Sequence, residues 1–141
     1  MKVILLGHGH CASGYLSSLE MIAGKQEHVE AIDFSDSMTS QELEEKLEVS
    51  LVNEDEVLIL CDLLGGTPFK LAAARALRSE TQTIEAISGL NLSMLLEVAL
   101  GVTSLGDDAV EKVIFSAKSG IMSAKDLFKP SAEAEEDGEG I

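Results

Sequence analysis

The stretch VILLGHGHCASGYLSSLEMIAG, residues 3–24, predicts the type of fold. It begins with four consecutive apolar residues, typical of a strand that is buried on both faces, and turns at Gly7-His8-Gly9. From residue 13 to residue 23 apolar side chains recur at helical spacing, and Gly24 is a suitable stop. The stretch therefore predicts a strand, a loop and a helix in succession.

The same alternation continues along the chain. Three more apolar runs predict strands at Val29–Phe34, Glu56–Cys61 and Thr83–Ile87. Helices are predicted to follow each strand, including one over residues 68–78 with Thr67 as its N-cap and Pro68 as its first residue. Alternating strands and helices indicate an α/β fold, namely an open, doubly wound, mainly parallel sheet with four parallel strands and helices on both faces.

The last third of the chain is less regular. Asp107 or Asp108 is expected to cap a helix that ends before Gly120, whereas local pattern leaves residues 121–128 open between strand and helix. Residues 129–141 are acidic and rich in alanine and glycine, and we expect them to be disordered. The domain is accordingly predicted over residues 1–128.

Composition narrows the possible functions. With 141 residues and 45% hydrophobic content, the chain forms one domain with an ample core. A formal net charge of −15 disfavours nucleic acid and anionic lipid as partners. No apolar run approaches the roughly 20 residues of a membrane-spanning helix, so we expect a cytoplasmic protein with reduced cysteines.

Two side chains at strand ends are candidates for catalysis. His8 and Asp62 follow the first and third predicted strands, and the carboxyl ends of parallel strands lie along one edge of the sheet. An aspartate that accepts the Nδ1 proton of a histidine leaves Nε2 as a nucleophile. The alternative is that His8 is a loop residue without a role and that Asp62 binds nearby backbone amides.

The turn after Asp62 is a candidate site for a phosphoryl group. Gly65 and Gly66 permit close backbone approach, and Thr67 stands at a helix start, where free amides favour an anion. The chain has no Walker lysine, no dinucleotide fingerprint and no evident carboxylate cluster for Mg²⁺, so no bound nucleotide or other cofactor is expected. A rival interpretation is a metal site built from His8, His10, Asp62 and a cysteine.

Three separated motifs resemble the IIA component of the mannose-family sugar phosphotransferase system. They are LGHGHCASG at residues 6–14, DLLGGTPF at residues 62–69 and SGLNLSMLLE at residues 88–97. The resemblance spans roughly residues 1–128. It implies a cytoplasmic phosphocarrier in which His8, and not His10, takes a phosphoryl group from phospho-HPr and passes it to a IIB component, which phosphorylates sugar entering through a IIC/IID permease.

The resemblance also implies roles for other residues and an oligomeric state. Asp62 matches the aspartate that orients the histidine, and Thr67 matches the hydroxyl residue near the phosphoryl group, whereas Lys70 stands where the family commonly has asparagine. Members of the family are homodimers whose subunits exchange a carboxy-terminal antiparallel strand, which here falls at residues 121–128. The competing interpretations are the phosphocarrier subunit of a dihydroxyacetone kinase and a small metal- or anion-binding regulatory module.

Overall fold

The computed structural model describes residues 1–130 and contains one parallel sheet. Its strands are β1 (Lys2–His8), β2 (Val29–Phe34), β3 (Glu56–Cys61) and β4 (Thr83–Ile87). They are arranged in the order β2-β1-β3-β4, and every neighbouring pair is parallel. The predicted open sheet with four parallel strands is therefore confirmed.

Helices follow every strand and cover both faces of the sheet. They are α1 (Cys11–Ala23), α2 (Ser40–Leu51), α3 (Thr67–Arg78), α4 (Leu92–Gly101), α5 (Ala109–Ser119) and the single turn α6 (Ala124–Leu127). Within residues 1–130, none of these helices is long and apolar enough to cross a membrane.

The sheet separates two apolar cores because side chains alternate between its faces. Along β1, Val3 and Leu5 enter the core beneath α1, α4 and α5, while Ile4 and Leu6 enter the core beneath α2 and α3. The side chains of all four are fully buried. Burial on both faces explains why β1 is an uninterrupted apolar run rather than an alternating one.

The carboxy-terminal segment differs from the expectation that the resemblance raised. Residues 121–128 contain the helical turn α6 and no strand, and the part of the chain that the structure describes has no fifth strand in its sheet. A strand needs a neighbouring strand to pair its backbone groups, whereas a helical turn pairs them locally in a single chain. The predicted disorder of residues 129–141 falls mainly on residues 131–141, which lie outside the described residues.

Candidate phosphoryl-transfer site

The sheet places two predicted site residues side by side. The chain runs from β1 to β2 on one side and then returns to β3 on the other, so the connections diverge between β1 and β3. Ligands of doubly wound folds bind at such a divergence, beyond the carboxyl ends of the strands. His8 is the last residue of β1, and Asp62 directly follows β3.

One carboxylate oxygen holds both the backbone and the ring of His8. Asp62 Oδ2 accepts a hydrogen bond from the His8 backbone N–H at 2.9 Å and lies 2.8 Å from His8 Nδ1. The Asp62 side chain is 15% exposed, whereas that of His8 is 46% exposed. The carboxylate is thus enclosed while the imidazole reaches the surface.

The charge of Asp62 decides which ring nitrogen carries the proton. Partial burial acts to raise the pKa of the Asp62 carboxyl, but hydrogen bonds from the His8 backbone and ring, together with the His8 charge, outweigh it and lower the pKa. The carboxylate is therefore ionised at neutral pH, and an ionised carboxylate only accepts hydrogen bonds. Nδ1 must donate, which leaves the lone pair of the neutral ring on Nε2.

Two neighbours restrict the position of the His8 ring. The ring lies against Phe34, with 5.8 Å between centroids and an angle of 54° between planes. It also touches Gly66 so closely that a Cβ added there would stand 2.6 Å from His8 Cε1 and 3.4 Å from Nε2. Gly66 is therefore the glycine of this turn whose lack of a side chain matters to the site.

The turn that contains Gly66 leads directly into α3. The Gly66 N–H donates to the Leu63 carbonyl at 3.0 Å, and the Gly66 carbonyl accepts from the Lys70 N–H at 3.1 Å. The first four backbone amides at a helix start have no partner within the helix. Of these, the Gly66 amide is used in the turn, and Pro68 has no N–H. The amides of Thr67 and Phe69 remain to meet an anion.

The helix start differs by one residue from the sequence prediction. Gly66 is the N-cap of α3, with extended backbone angles (φ −82°, ψ 161°), and no side chain caps the helix. Thr67 is the first helical residue and Pro68 the second, because the Gly66 carbonyl already accepts the first helical hydrogen bond. The prediction of Thr67 as N-cap was wrong, and its hydroxyl is not used in capping α3.

A second histidine–aspartate pair lies on the other side of β1. Asp33 Oδ2 is 3.5 Å from His10 Nδ1, and the His10 side chain is 98% exposed. Asp33 also accepts hydrogen bonds from the Ser13 N–H at 2.9 Å and the Ser13 hydroxyl at 2.6 Å. The first turn of α1 is thus attached to β2 through Asp33.

Comparison with known proteins identifies the family. The family model EIIA-man, described as "PTS system fructose IIA component", matches residues 2–114. The sorbose-specific EIIA component of Lacticaseibacillus casei is 31% identical over 134 residues, 93% of this chain and 90% of that protein. This chain belongs to the EIIA-man family. It is a IIA component of a sugar phosphotransferase system (PTS), as its resemblance implied.

Further relatives agree in sequence and in structure. The fructose-specific EIIA component of Bacillus subtilis is 37% identical over 101 residues, which cover 70% of this chain and 68% of that protein. The crystal structure of a PTS EIIA component from Streptococcus agalactiae is 43% identical, with a TM-score of 0.83 over 86% of this chain and 95% of that one. The doubly wound fold of this EIIA chain is thus the fold of its relatives.

The structure of this EIIA chain does not assemble the rival metal site. His8 pairs with Asp62 and His10 with Asp33, so the two histidines use different carboxylates. Within residues 1–130 no three His, Cys, Asp or Glu side chains form a group that could hold a metal ion. Burial, with the Asp62 charge as a second cause, raises the pKa of Cys61 to about 12, which keeps this thiol protonated.

Sequence analysis of this EIIA chain missed two residues beside the site. Asp33 and Phe34 end β2, where the strand register sets them opposite Gly7 and His8. Asp62 was predicted to lie near His8 because the carboxyl ends of parallel strands lie along one edge of the sheet. The same rule applies to Asp33. Phe34 gave no chemical signal, since an apolar residue at a strand end is ordinarily part of the core.

Proposed function

We propose that this EIIA chain is a phosphohistidine carrier that takes a phosphoryl group on His8 Nε2 from phospho-HPr. The observation that carries this proposal is the 2.8 Å contact between Asp62 Oδ2 and His8 Nδ1, which leaves Nε2 unprotonated on a half-exposed ring. A fixed tautomer at the surface suits a nucleophile whose donor is another protein.

During the transfer one P–N bond forms and another breaks. His8 Nε2 attacks phosphorus in line, and the bond between phosphorus and the donor's histidine nitrogen breaks as the new P–N bond forms. Because Nδ1 keeps its proton, the phosphorylated ring carries a positive charge, which the ionised Asp62 offsets. No nucleotide, metal or other cofactor enters this step.

The turn and the start of α3 are proposed to bind the phosphoryl oxygens. Gly65 and Gly66 leave the backbone uncovered beside His8, and the Thr67 amide and hydroxyl stand at the positive end of the helix dipole. The phosphoryl group carries its negative charge on three equatorial oxygens during transfer, so donors already oriented towards them position the group and lower the barrier.

Downstream of His8, we propose transfer to a IIB component, which phosphorylates sugar that enters through a IIC/IID permease. This places the chain in the cytoplasm, where both protein partners reach it. The relatives are named for sorbose and for fructose, and the proposed step at His8 involves a phosphoryl group and no sugar, so selection of the sugar would belong to the partners.

We also propose that the chain is a homodimer that exchanges residues 121–128. The side chains of Ile121, Met122, Leu127 and Phe128 are all exposed in the single chain. Four large apolar side chains exposed within eight residues are rarely left in water, and pairing of this segment as an antiparallel strand on a partner's sheet edge would cover them. Sedimentation of the full chain and of a chain ending at Gly120 tests this, with a dimer and a monomer as the expected results.

Intact-protein mass measurement tests the carrier function. The chain is incubated with enzyme I, HPr and phosphoenolpyruvate and kept at neutral or alkaline pH, because phosphohistidine is labile in acid. We expect one phosphoryl group on wild type and on His10→Ala, and none on His8→Ala. A gain on His8→Ala but not on His10→Ala would overturn the assignment. No gain on wild type would favour the dihydroxyacetone kinase carrier or the regulatory module.

A further inference from the structure

Lys70 is an exposed cation one helical turn from the turn that touches the His8 ring. Its backbone N–H donates to the Gly66 carbonyl at 3.1 Å, so Lys70 is the fourth residue after the N-cap of α3. Among residues 1–130, Lys70 forms no ion pair, whereas Arg75 and Arg78 of the same helix pair with glutamates of α2. The charge of Lys70 is therefore not neutralised by any neighbour within the described fold.

The Lys70 side chain is long enough to reach a phosphoryl group on His8. A Cβ at Gly66 would lie 3.4 Å from His8 Nε2. Residues four apart on a helix have their Cβ atoms about 6 Å apart, so the Cβ of Lys70 is within roughly 10 Å of Nε2. Helical side chains lean towards the N-terminus, and the lysine stem therefore covers the turn that contains Gly66. The stem spans about 5 Å and phosphoryl oxygens stand about 3 Å from the nitrogen, which is enough to bring ammonium and oxygen to hydrogen-bonding distance.

We propose that Lys70 binds the phosphoryl group once it is attached to His8 and thereby stabilises the phosphorylated chain. This inference rests on the proposed function and adds to it a residue that favours one side of the transfer equilibrium. The contact is made by the phosphorylated chain alone, after the donor has left, so it is distinct from recognition of the donor. The asparagine that is common in the family at this position carries no charge, so the contact would set this chain apart from such relatives.

Electrostatics explain why a cation is needed here. The chain carries a formal net charge of −15, and the phosphoryl group adds further negative charge. Asp62 offsets the positive charge of the phosphorylated imidazole, but it repels the phosphoryl oxygens. The start of α3 offers amides and a hydroxyl, which carry only partial charges. Lys70 supplies a full positive charge, and hydrogen bonds between an ammonium and an anion are among the strong ones.

The equilibrium constant for transfer from phospho-HPr separates this role from docking. Purified phospho-HPr is mixed with the chain in the absence of enzyme I and phosphoenolpyruvate, and intact mass gives the phosphorylated fraction of both proteins at equilibrium. At concentrations too low for the complex to accumulate, a docking contact changes the forward and reverse rates by the same factor. A contact made only by the phosphorylated chain changes their ratio.

The variants differ in charge at one position. Lys70→Gln removes the charge, Lys70→Arg keeps it, and Lys112→Gln is the matched control. Lys112 is also exposed, is also the fourth residue after an N-cap, with its N–H on the Asp108 carbonyl at 3.0 Å, and forms no ion pair within the described part of the chain. It lies at the opposite edge of the sheet from His8, because α5 begins after α4 has run about 15 Å back from the carboxyl ends of the strands.

We expect the equilibrium constant to fall about 5-fold for Lys70→Gln, the contribution of a well-formed exposed ion pair. It should stay within about 2-fold of wild type for Lys70→Arg and for Lys112→Gln. KCl at roughly 0.5 M should remove most of the difference between wild type and Lys70→Gln, because salt screens exposed charges. An unchanged constant for Lys70→Gln would overturn the inference, and so would equal losses for Lys70→Gln and Lys70→Arg.

Phosphoramidate, which phosphorylates histidine as a small molecule, allows a second measurement without any partner. The pKa of the phosphoryl group, followed by ³¹P NMR, should be higher in phosphorylated Lys70→Gln than in wild type, because a nearby ammonium favours the more negative form. The same pKa in both proteins would contradict the contact. If wild type takes no phosphoryl group on His8 from either donor, the proposed function fails and this inference with it. Phosphorylation of His8 with Lys70→Gln equal to wild type in both measurements would refute the role of Lys70 alone.

Discussion

Replacing Gly66 with alanine should displace the His8 ring and disable the site while leaving the fold in place. The new Cβ would lie 2.6 Å from His8 Cε1, and ordinary van der Waals contact begins at 3.4 Å, so the ring must retreat by about 0.8 Å. The backbone of Gly66 is extended (φ −82°, ψ 161°), which alanine adopts without strain. The clash with the ring is therefore the main local effect of the substitution.

The cost follows from the position of the ring between its neighbours. A ring that moves away from Gly66 changes the 2.8 Å contact of Nδ1 with Asp62 and the line of attack of Nε2. A misplacement of about 1 Å costs on the order of 10²-fold in rate. We therefore expect Gly66→Ala to accept the phosphoryl group about 100-fold more slowly than wild type from phosphoramidate and from phospho-HPr alike.

Gly65→Ala is the matched control for this substitution. A Cβ at Gly65 meets no atom within 4 Å, and its φ is outside the left-handed region. Gly65→Ala leaves the His8 ring in place, so its rate should fall far less than that of Gly66→Ala, and it should gain up to about 1 kcal/mol in the free energy of unfolding through the smaller entropy of its unfolded chain. Initial rates by intact mass and urea unfolding measure both quantities. Equal rates for the two variants would refute the reasoning that contact with His8 makes Gly66 necessary.

Three further substitutions test the neighbours of His8. Asp62→Asn should slow phosphoryl acceptance by roughly 10⁴-fold, as loss of the fixed tautomer does in hydrolytic triads, with near-native circular dichroism as its control. Phe34→Leu should slow it only about 2–10-fold, the worth of one aromatic contact, and a larger loss would show that Phe34 does more than support the ring. Asp33→Asn should leave the rate unchanged and lower the free energy of unfolding by about 1 kcal/mol at pH 7. Partial burial acts to raise the pKa of Asp33, but the hydrogen bonds from Ser13 and the contact with His10 lower it. The contribution of Asp33 is thus present above its unfolded pKa of about 4 and is lost as the pH falls through the lowered value, so the difference in unfolding free energy between Asp33→Asn and wild type should shrink progressively as the pH falls below about 4.

The strands could be predicted because burial on both faces leaves a continuous apolar signal. The limits Val29–Phe34, Glu56–Cys61 and Thr83–Ile87 agree with the structure, since polar residues or glycine follow each run. β1 extends past its apolar run to His8 because its pairing with β2 continues to Phe34. That extension depends on the neighbouring strand, which the local sequence does not specify.

The close contact at Gly66 could not be predicted from the sequence. Gly65 and Gly66 are identical residues in one turn, and the sequence assigned both the same role. Only the folded chain shows that one faces open space and the other touches the His8 ring. Residues 121–128 present a similar limit, because a strand there would need a neighbouring strand that the local sequence does not specify.

The two histidine–aspartate pairs show why residue type alone does not make a nucleophile. His10 and Asp33 are the same residue types as His8 and Asp62 and are also attached to neighbouring strands, yet their separation is 3.5 Å and the His10 side chain is 98% exposed. Asp33 directs its hydrogen bonds to Ser13, so it is committed to holding α1. The His8 ring, in contrast, is held on three sides by a carboxylate, an aromatic ring and a glycine, and it has a helix start beside it. A phosphoryl group on His8 would meet oriented donors, whereas one on His10 would meet water, and for this reason we propose transfer at the first pair and anchoring of α1 at the second.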